Sequence, residues 1–179
     1  MNRVLFNVEG ITLPSWTSAA NDFIKSVLDT LGQKNWELSV LFCNNHYIKS
    51  LNAQYRNKDE PTDILSFPLG ETAHGGRFLA GDIVVSLDAL EENTRFFKVS
   101  GDEELRRLLV HGILHLSGYE HATNNAKEPM LQLQENIISQ LKNLSIFTTE
   151  YTEEHGVFDL NSLRETPCSP WLNDSEERP

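Results

Sequence analysis

The chain has 179 residues and a formal net charge of −11. This length suits one domain with a hydrophobic core, and an apolar fraction of 39% is typical of a soluble globular protein. The acidic charge argues against sequence-independent nucleic-acid binding over the whole surface, because such binding depends on clustered lysines and arginines. Residues 148–179 hold eight acidic residues against two arginines, so we expect a domain over residues 1–147 and an acidic tail, disordered or loosely docked.

The sequence has no pattern of a membrane or secreted protein. No run of eighteen or more apolar residues occurs, and the first residues lack the features of a secretory signal. The two cysteines, Cys43 in an apolar stretch and Cys168 in a polar one, make neither a disulfide framework nor a cysteine metal site. We therefore expect a cytoplasmic protein with no membrane partner and with Cys43 in its core.

In chain order, the first half predicts alternating strands and helices. Apolar segments at residues 3–8 and 36–43 are typical of strands, and the apolar spacing between them predicts a helix that Gly32 ends. Asn44 or Asn45 can cap a second, short helix. The apolar face of this helix is expected to hold Ile48, Leu51 and Tyr55.

The second half predicts a hairpin and then three helices. Residues 63–69 predict a third strand, and Pro68 within it indicates an edge position. Residues 81–87 predict a fourth strand, with a mobile loop over residues 70–79 between the two. The three helices are expected at about residues 88–97, 102–115 and 127–143. This mixed order predicts a single α+β domain in which a roughly four-stranded mixed sheet packs against several helices.

Three histidines lie within eleven residues in HGILHLSGYEH. His111 and His115 are one turn apart on the same face of a helix, so both can bind one ion, and Gly118 permits the sharp turn that returns His121 toward them. The spacing therefore predicts one zinc ion per chain with three histidine ligands and a fourth position for water, as in a catalytic site. Nickel and copper are also compatible with these ligands. For a lone histidine, an ordinary surface or core position would be the simpler interpretation.

Gly112 bears on the kind of substrate. Zinc proteases with this histidine spacing carry Glu directly after the first histidine, where it takes a proton from the metal-bound water. Without that base, peptide hydrolysis loses its proton shuttle. Phosphodiester cleavage can instead rely on charge stabilisation by a metal and an arginine. The glycine thus favours a metallohydrolase domain that acts on phosphate rather than on peptide.

The segments HGILHLSGYEH, LNAQYRNKDEPTDILSFP and GDIVVS together resemble the YbeY family over roughly residues 40–140. The resemblance implies a zinc-dependent endoribonuclease that acts on single-stranded rRNA, in maturation of the 3′ end of 16S rRNA and in ribosome quality control. It implies the small ribosomal subunit and its assembly factors as partners. It also implies that His111, His115 and His121 are the catalytic metal ligands.

Arg56 resembles the functional arginine of that family. A guanidinium presents a fork of donors that matches phosphate oxygens, so we expect Arg56 to hold the scissile phosphate. Without the resemblance, an ion pair with Asp59 or Glu60 would be the preferred interpretation. Lys58 is expected to add to the RNA-binding surface, and the cations that could extend it are Lys49 and Arg77.

Three further features are less specific. Asp63 or Asp82 could accept the free ring N–H of a ligand histidine, although turn or cap roles are equally plausible. Glu120 stands where the family usually has Asp, and Ala126 stands where a Glu is common.

Two other functions stay open at this level. One is a metalloprotease-like zinc hydrolase whose base is Glu120, and the other is a ribosome-assembly binding factor with a structural metal. For the endoribonuclease, the nucleophile can be water or the 2′-hydroxyl of the RNA.

Overall fold

The structure, a computed structural model, describes residues 1–147. The acidic tail expected over residues 148–179 lies outside the described residues. Within residues 1–147 the elements are β1 (Arg3–Glu9), α1 (Thr17–Thr30), β2 (Trp36–Cys43), α2 (Asn45–Arg56), β3 (Ile64–Thr72), β4 (Phe78–Ser86), α3 (Leu87–Phe97), α4 (Gly101–Leu116) and α5 (Pro129–Gln140). No helix of this part is long and apolar enough to span a bilayer.

The strands form one mixed sheet in the order β1-β2-β4-β3. β1 and β4 both run parallel to β2, and β3 pairs only with β4, antiparallel. The helix α1 separates β1 from β2, as a parallel pair requires a crossover connection. The α+β fold with a four-stranded mixed sheet is therefore confirmed, and β3 is the edge strand that Pro68 predicted.

The sheet has a large core on one face and a small one on the other. The large core lies under α1, α4 and α5 and contains Phe42, Ile83 and Ile113. On the opposite face, α2 covers a smaller cluster of Cys43, Ile48, Leu65 and Val84. Because neighbouring residues of a strand point to opposite faces, β2 and β4 supply both cores. Cys43 is buried, as predicted.

Two local predictions were wrong. The expected loop over residues 70–79 is shorter, covering residues 73–77: β3 continues to Thr72 and β4 begins at Phe78, and the Ala73 N–H donates to the Arg77 carbonyl at 2.8 Å. Tyr55 was expected on the buried face of α2 but is 58% exposed. The small core does not extend to the last turn of α2, so periodicity alone misplaced this ring.

Candidate metal centre

The helix α4 holds the first two histidines in fixed relation. Its N-terminus is capped by Ser100, whose hydroxyl accepts from the Glu103 N–H at 3.1 Å, and acidic residues of the first turn complement the helix dipole. His111 and His115 lie four residues apart near the C-terminal end. Their ring centroids are 4.7 Å apart, and their Nε2 atoms are 3.1 Å apart.

The turn after α4 brings in the third histidine. Gly118 adopts φ +84°, its N–H donates to the His115 carbonyl at 3.0 Å, and the Tyr119 N–H donates to the Leu114 carbonyl at 3.0 Å. This pair of bonds is a Schellman motif, which needs a left-handed residue and so favours glycine. The His121 ring centroid comes to 5.1 Å from His111 and 5.3 Å from His115. One potential ligand atom of each histidine lies within 4.8 Å of the other two.

The contacts of the three Nδ1 atoms determine which ring nitrogens are free to bind a metal. Nδ1 of His111 lies 2.9 Å from Gln134 Oε1, Nδ1 of His115 lies 3.1 Å from the Tyr119 carbonyl, and Nδ1 of His121 lies 3.1 Å from the Thr123 carbonyl. A carbonyl oxygen only accepts, so each Nδ1 carries the proton. Every Nε2 therefore keeps its lone pair, as a metal ligand requires.

This arrangement fits a metal ion. In neutral rings, the Nε2 atoms of His111 and His115 direct lone pairs at close range, with no proton between them. Such lone pairs repel each other unless they share a cation. Two nitrogens bound at about 2.0–2.1 Å to a tetrahedral zinc are separated by about 3.3 Å, close to the 3.1 Å observed. The three histidines can therefore hold a metal ion.

The surroundings keep two of the histidines neutral. Burial lowers the pKa of His111, against the opposing effect of its hydrogen bond to Gln134. Burial likewise lowers the pKa of His115, with smaller contributions that include the positive charge of Arg56. A lower pKa means that both rings are unprotonated at neutral pH, the state that binds metals.

Gln134 was not found by the sequence analysis. It lies on α5, is 5% exposed, and its Nε2 donates to Glu135 at 3.2 Å, which directs Oε1 toward His111. A signal was present, since Gln134 shares the buried stripe of α5 with Met130, Ile137 and Ile138. A polar residue on such a stripe requires a polar partner.

Asp63 and Asp82 do not accept from the histidines. Asp63 accepts from the Ile64 N–H at 2.9 Å and from Asn93 Nδ2 at 3.0 Å, and it acts on His111 only through its charge, by raising its pKa slightly. Asp82 lies on the opposite side of the sheet from α4 and accepts from the Ser39 hydroxyl. The structure thus gives these carboxylates the alternative, structural roles.

Arg56 is the exposed last residue of α2. Its positive charge is the smallest of the named contributions that lower the pKa of His115, after burial. The alternative partner Asp59 instead lies 3.6 Å from Lys49. Within residues 1–147, no ion pair or hydrogen bond engages the side chain of Arg56 or of the exposed Lys58.

Lys58 is held near Arg56 by the buried Asn52. Its backbone N–H donates to the Asn52 carbonyl at 3.3 Å, and Asn52 Nδ2 donates to the Glu60 carbonyl at 2.8 Å. Of the cations proposed to extend this surface, Lys49 and Arg77 are both paired, Arg77 with Glu37 at 3.7 Å.

The structure gives Gly112 a packing role. A Cβ added at this position would lie 2.9 Å from Ile83 Cδ1 and 3.1 Å from Ile64 Cδ1, so α4 approaches the sheet closely here. A glutamate side chain would begin in this hydrocarbon contact. Glu120 lies 3.5 Å from Nδ1 of His115, on the side of the ring away from the converging Nε2 atoms. Neither position places a carboxylate where a protease base is needed.

Comparison with known proteins identifies the family of this chain. The family model described as Endoribonuclease YbeY matches residues 7–142. An Endoribonuclease YbeY of Treponema denticola is 49% identical over 130 residues, which cover 70% of this chain and 84% of the relative. That of Borrelia turicatae is 46% identical over 136 residues, 75% of this chain and 91% of the relative.

A solved structure shows the same fold. The solution structure of TM1509 from Thermotoga maritima is similar with a TM-score of 0.52 and 26% identity, over 78% of this chain and 92% of that one. The family match spans most of the chain and includes the three histidines, the Gly118 turn and Arg56. This chain therefore belongs to the endoribonuclease YbeY family.

Proposed function

We propose that this protein is a zinc-dependent endoribonuclease that cleaves single-stranded rRNA in the cytoplasm. Its role would be maturation of the 3′ end of 16S rRNA and ribosome quality control, with the small ribosomal subunit and its assembly factors as partners. Family membership supports the nuclease activity. The observation that carries the metal dependence is the convergence of three half-buried histidines whose Nδ1 atoms are all engaged elsewhere.

His111, His115 and His121 would hold the zinc ion through Nε2. When bound, zinc would supply Lewis-acid charge to a scissile phosphodiester and lower the pKa of water toward about 7. Gln134 and the carbonyls of Tyr119 and Thr123 keep the three rings oriented.

Arg56 would orient the phosphate. Its five guanidinium donors can contact two phosphate oxygens at once, and the absence of an internal partner within the described residues leaves them available. Lys58, two residues on, would add positive charge for a neighbouring phosphate. Both side chains would act by holding the substrate rather than by transferring a proton.

The two alternatives receive less support. A structural metal needs a closed ligand set, yet the candidate cluster within residues 1–147 has three ligands and no fourth. A protease needs a base near the metal, and the positions of Gly112 and Glu120 do not provide one.

The decisive experiment is cleavage of a labelled single-stranded RNA that spans the 3′ end of 16S rRNA. Zinc-loaded wild type is compared with His115→Ala, and with His74→Ala as a matched control, since His74 lies exposed in the β3–β4 hairpin. We expect cleavage by the wild type and His74→Ala only. Equal cleavage by all three would indicate a contaminating ribonuclease, and no cleavage by any would favour the binding factor.

The product ends identify the nucleophile. A 2′,3′-cyclic phosphate requires attack by the RNA 2′-hydroxyl. A linear phosphate formed on RNA whose 2′-hydroxyl is methylated at the cleaved position requires attack by water.

A further inference from the structure

Tyr55 is a large aromatic side chain in a position that core packing does not explain. It lies in the last turn of α2, next to Arg56, and is 58% exposed. The buried residues of α2 are Ile48 and Asn52, and both precede its last turn. Exposure of a ring this large leaves apolar surface in water, at a cost of roughly 25 cal/mol per Å².

Phe67 on β3 supports the Tyr55 ring. The two ring centroids are 5.0 Å apart and the planes meet at 68°, an edge-to-face contact. Phe67 is itself half-buried and packs on the small core under α2. In an edge-to-face pair, at most one face of the Tyr55 ring is covered by its partner, so this contact leaves at least one face open. The ring is thus restrained but accessible.

Tyr55 and Phe67 together form an aromatic surface between the last turn of α2 and the edge strand β3. Leu69, 52% exposed, lies in the bulge where the pairing of β3 with β4 shifts register.

The charges beside this surface are unpaired. Arg56 and Lys58 follow Tyr55 in the sequence. In the described part of the chain, neither of their side chains has an ion pair. This contrasts with Arg95, Arg106 and Arg107, each of which pairs with an acidic residue of its own helix. An open aromatic face next to unpaired cations matches the two parts of a nucleotide, the base and the phosphate.

We propose that Tyr55, supported by Phe67, is a stacking platform for one base of a single-stranded RNA whose phosphate contacts Arg56. This inference rests on the proposed function and adds a substrate-selecting residue to it. A base within a duplex has both faces covered by its neighbours, whereas an unpaired base offers a free face. Stacking on Tyr55 therefore selects single-stranded RNA.

The test measures RNA affinity of the zinc-loaded protein by stopped-flow anisotropy, before cleavage accumulates. The variants are Tyr55→Ala, Tyr55→Trp, which keeps a stacking face, and the matched control Phe96→Ala. Phe96 is also exposed, at 72%, and lies at the C-terminal end of α3, just before the start of α4. The start of α4 is about 21 Å from His115 along the helix axis. Each variant is titrated with an intact oligonucleotide and with one of the same length that carries abasic nucleotides.

We expect Tyr55→Ala to weaken binding of intact RNA by about 5- to 150-fold, the range for loss of one stacked base. Tyr55→Trp and Phe96→Ala should bind it within about threefold of wild type. On abasic RNA, Tyr55→Ala should bind as wild type does. Equal losses on intact and abasic RNA, or no loss on either, would overturn the platform.

The outcome separates this inference from the nuclease assignment. If wild type fails to cleave but shows the base-dependent effect of Tyr55, the platform stands and the nuclease proposal fails. If wild type cleaves and Tyr55→Ala binds intact RNA normally, the nuclease proposal stands and the platform fails.

Discussion

The two ends of α4 use charge in opposite ways. At its start, Arg107 pairs with Glu103, Glu104 and Glu135 at 3.2 to 3.4 Å, and Asp102 accepts from the backbone N–H groups of residues 146 and 147. At its end, two histidines direct unprotonated nitrogens at each other. Paired charges in the first half stabilise the fold, while the lone pairs at the end belong to a group that could hold a metal ion.

The same contrast separates the arginines. Arg107 joins α4 to α5 and is half-buried, whereas Arg56 is exposed and has no partner within residues 1–147. A charged residue without a partner is therefore a better functional candidate than one within an ion-pair network. Substitution of Arg56 should therefore affect activity, and substitution of Arg107 should affect stability.

The largest expected effect is on catalysis. His115→Ala should lower RNA cleavage by more than about 10³-fold, or about 4 kcal/mol in the activation barrier, because the metal loses one of three ligands. The free energy of unfolding of the metal-free protein should change by less than about 1 kcal/mol. Zinc content and urea denaturation check the two parts. A metal-free protein that is entirely unfolded would show instead that the metal is structural.

Gly112→Glu should have the largest effect on folding. The new carboxylate would enter the contact with Ile83 and Ile64, and an unpaired buried charge should destabilise by about 3 to 5 kcal/mol. Gly112→Ala, the milder control, should cost about 1 to 3 kcal/mol from crowding, partly offset by the higher helix propensity of alanine. Urea denaturation measures both. A stable Gly112→Glu variant with peptidase activity would contradict this account.

Arg56→Ala and Arg107→Ala form a matched pair, one at an arginine without a partner in the described residues and one within an ion-pair network. Arg56→Ala should slow cleavage about 100-fold, or about 2.7 kcal/mol, and leave stability within about 0.5 kcal/mol. Arg107→Ala should instead cost about 1 to 2 kcal/mol of stability, since it leaves the buried Glu104 without its cation. Its cleavage rate per folded molecule should be unchanged. Equal losses of activity in both variants would remove the distinction between the arginines.

Gln134→Leu tests the orientation of His111. Loss of the acceptor at 2.9 Å from Nδ1 should weaken zinc binding about 10- to 100-fold, as is usual for partners of metal-bound histidines. Gln134→Glu keeps an acceptor and should retain affinity closer to wild type. Competition with a chelating dye measures the affinities. Unchanged affinity in Gln134→Leu would show that helix packing alone orients the ring.

The smallest effect concerns Glu104, which is 3% exposed. Burial raises its pKa, against hydrogen bonds from Asn93 and Arg107. When the pKa of a carboxyl is higher in the folded than in the unfolded protein, its contribution to stability is fully present below the pKa of the unfolded state. That contribution is lost as the pH rises through the pKa of the folded state. The free energy of unfolding of Glu104→Gln should therefore rise relative to that of wild type over that pH interval, by less than about 1 kcal/mol. Urea denaturation from about pH 4 to about pH 8 covers it; a relative gain by wild type would contradict the sign.

The sequence determined the features that depend on local geometry. Strand β2 was predicted with its observed ends, and the caps at Asn44 and Gly118 depend on residues only a few positions away. The group of three histidines that could hold a metal ion was predictable for the same reason. Four residues make one helical turn, and a glycine permits the left-handed turn that returns His121. In these segments local spacing and tertiary packing favour the same structure.

The features that depend on contacts between distant segments became visible in the tertiary structure and not in the sequence. Gln134 reaches His111 because α5 packs on α4, and Gly112 is needed because α4 packs closely on β3 and β4. Tyr55 is exposed because the small core ends before the last turn of α2. Its ring contacts Phe67 because the edge strand β3 lies beside that turn. Periodicity shows which residues share a face, but the packing of one element on another determines what that face meets.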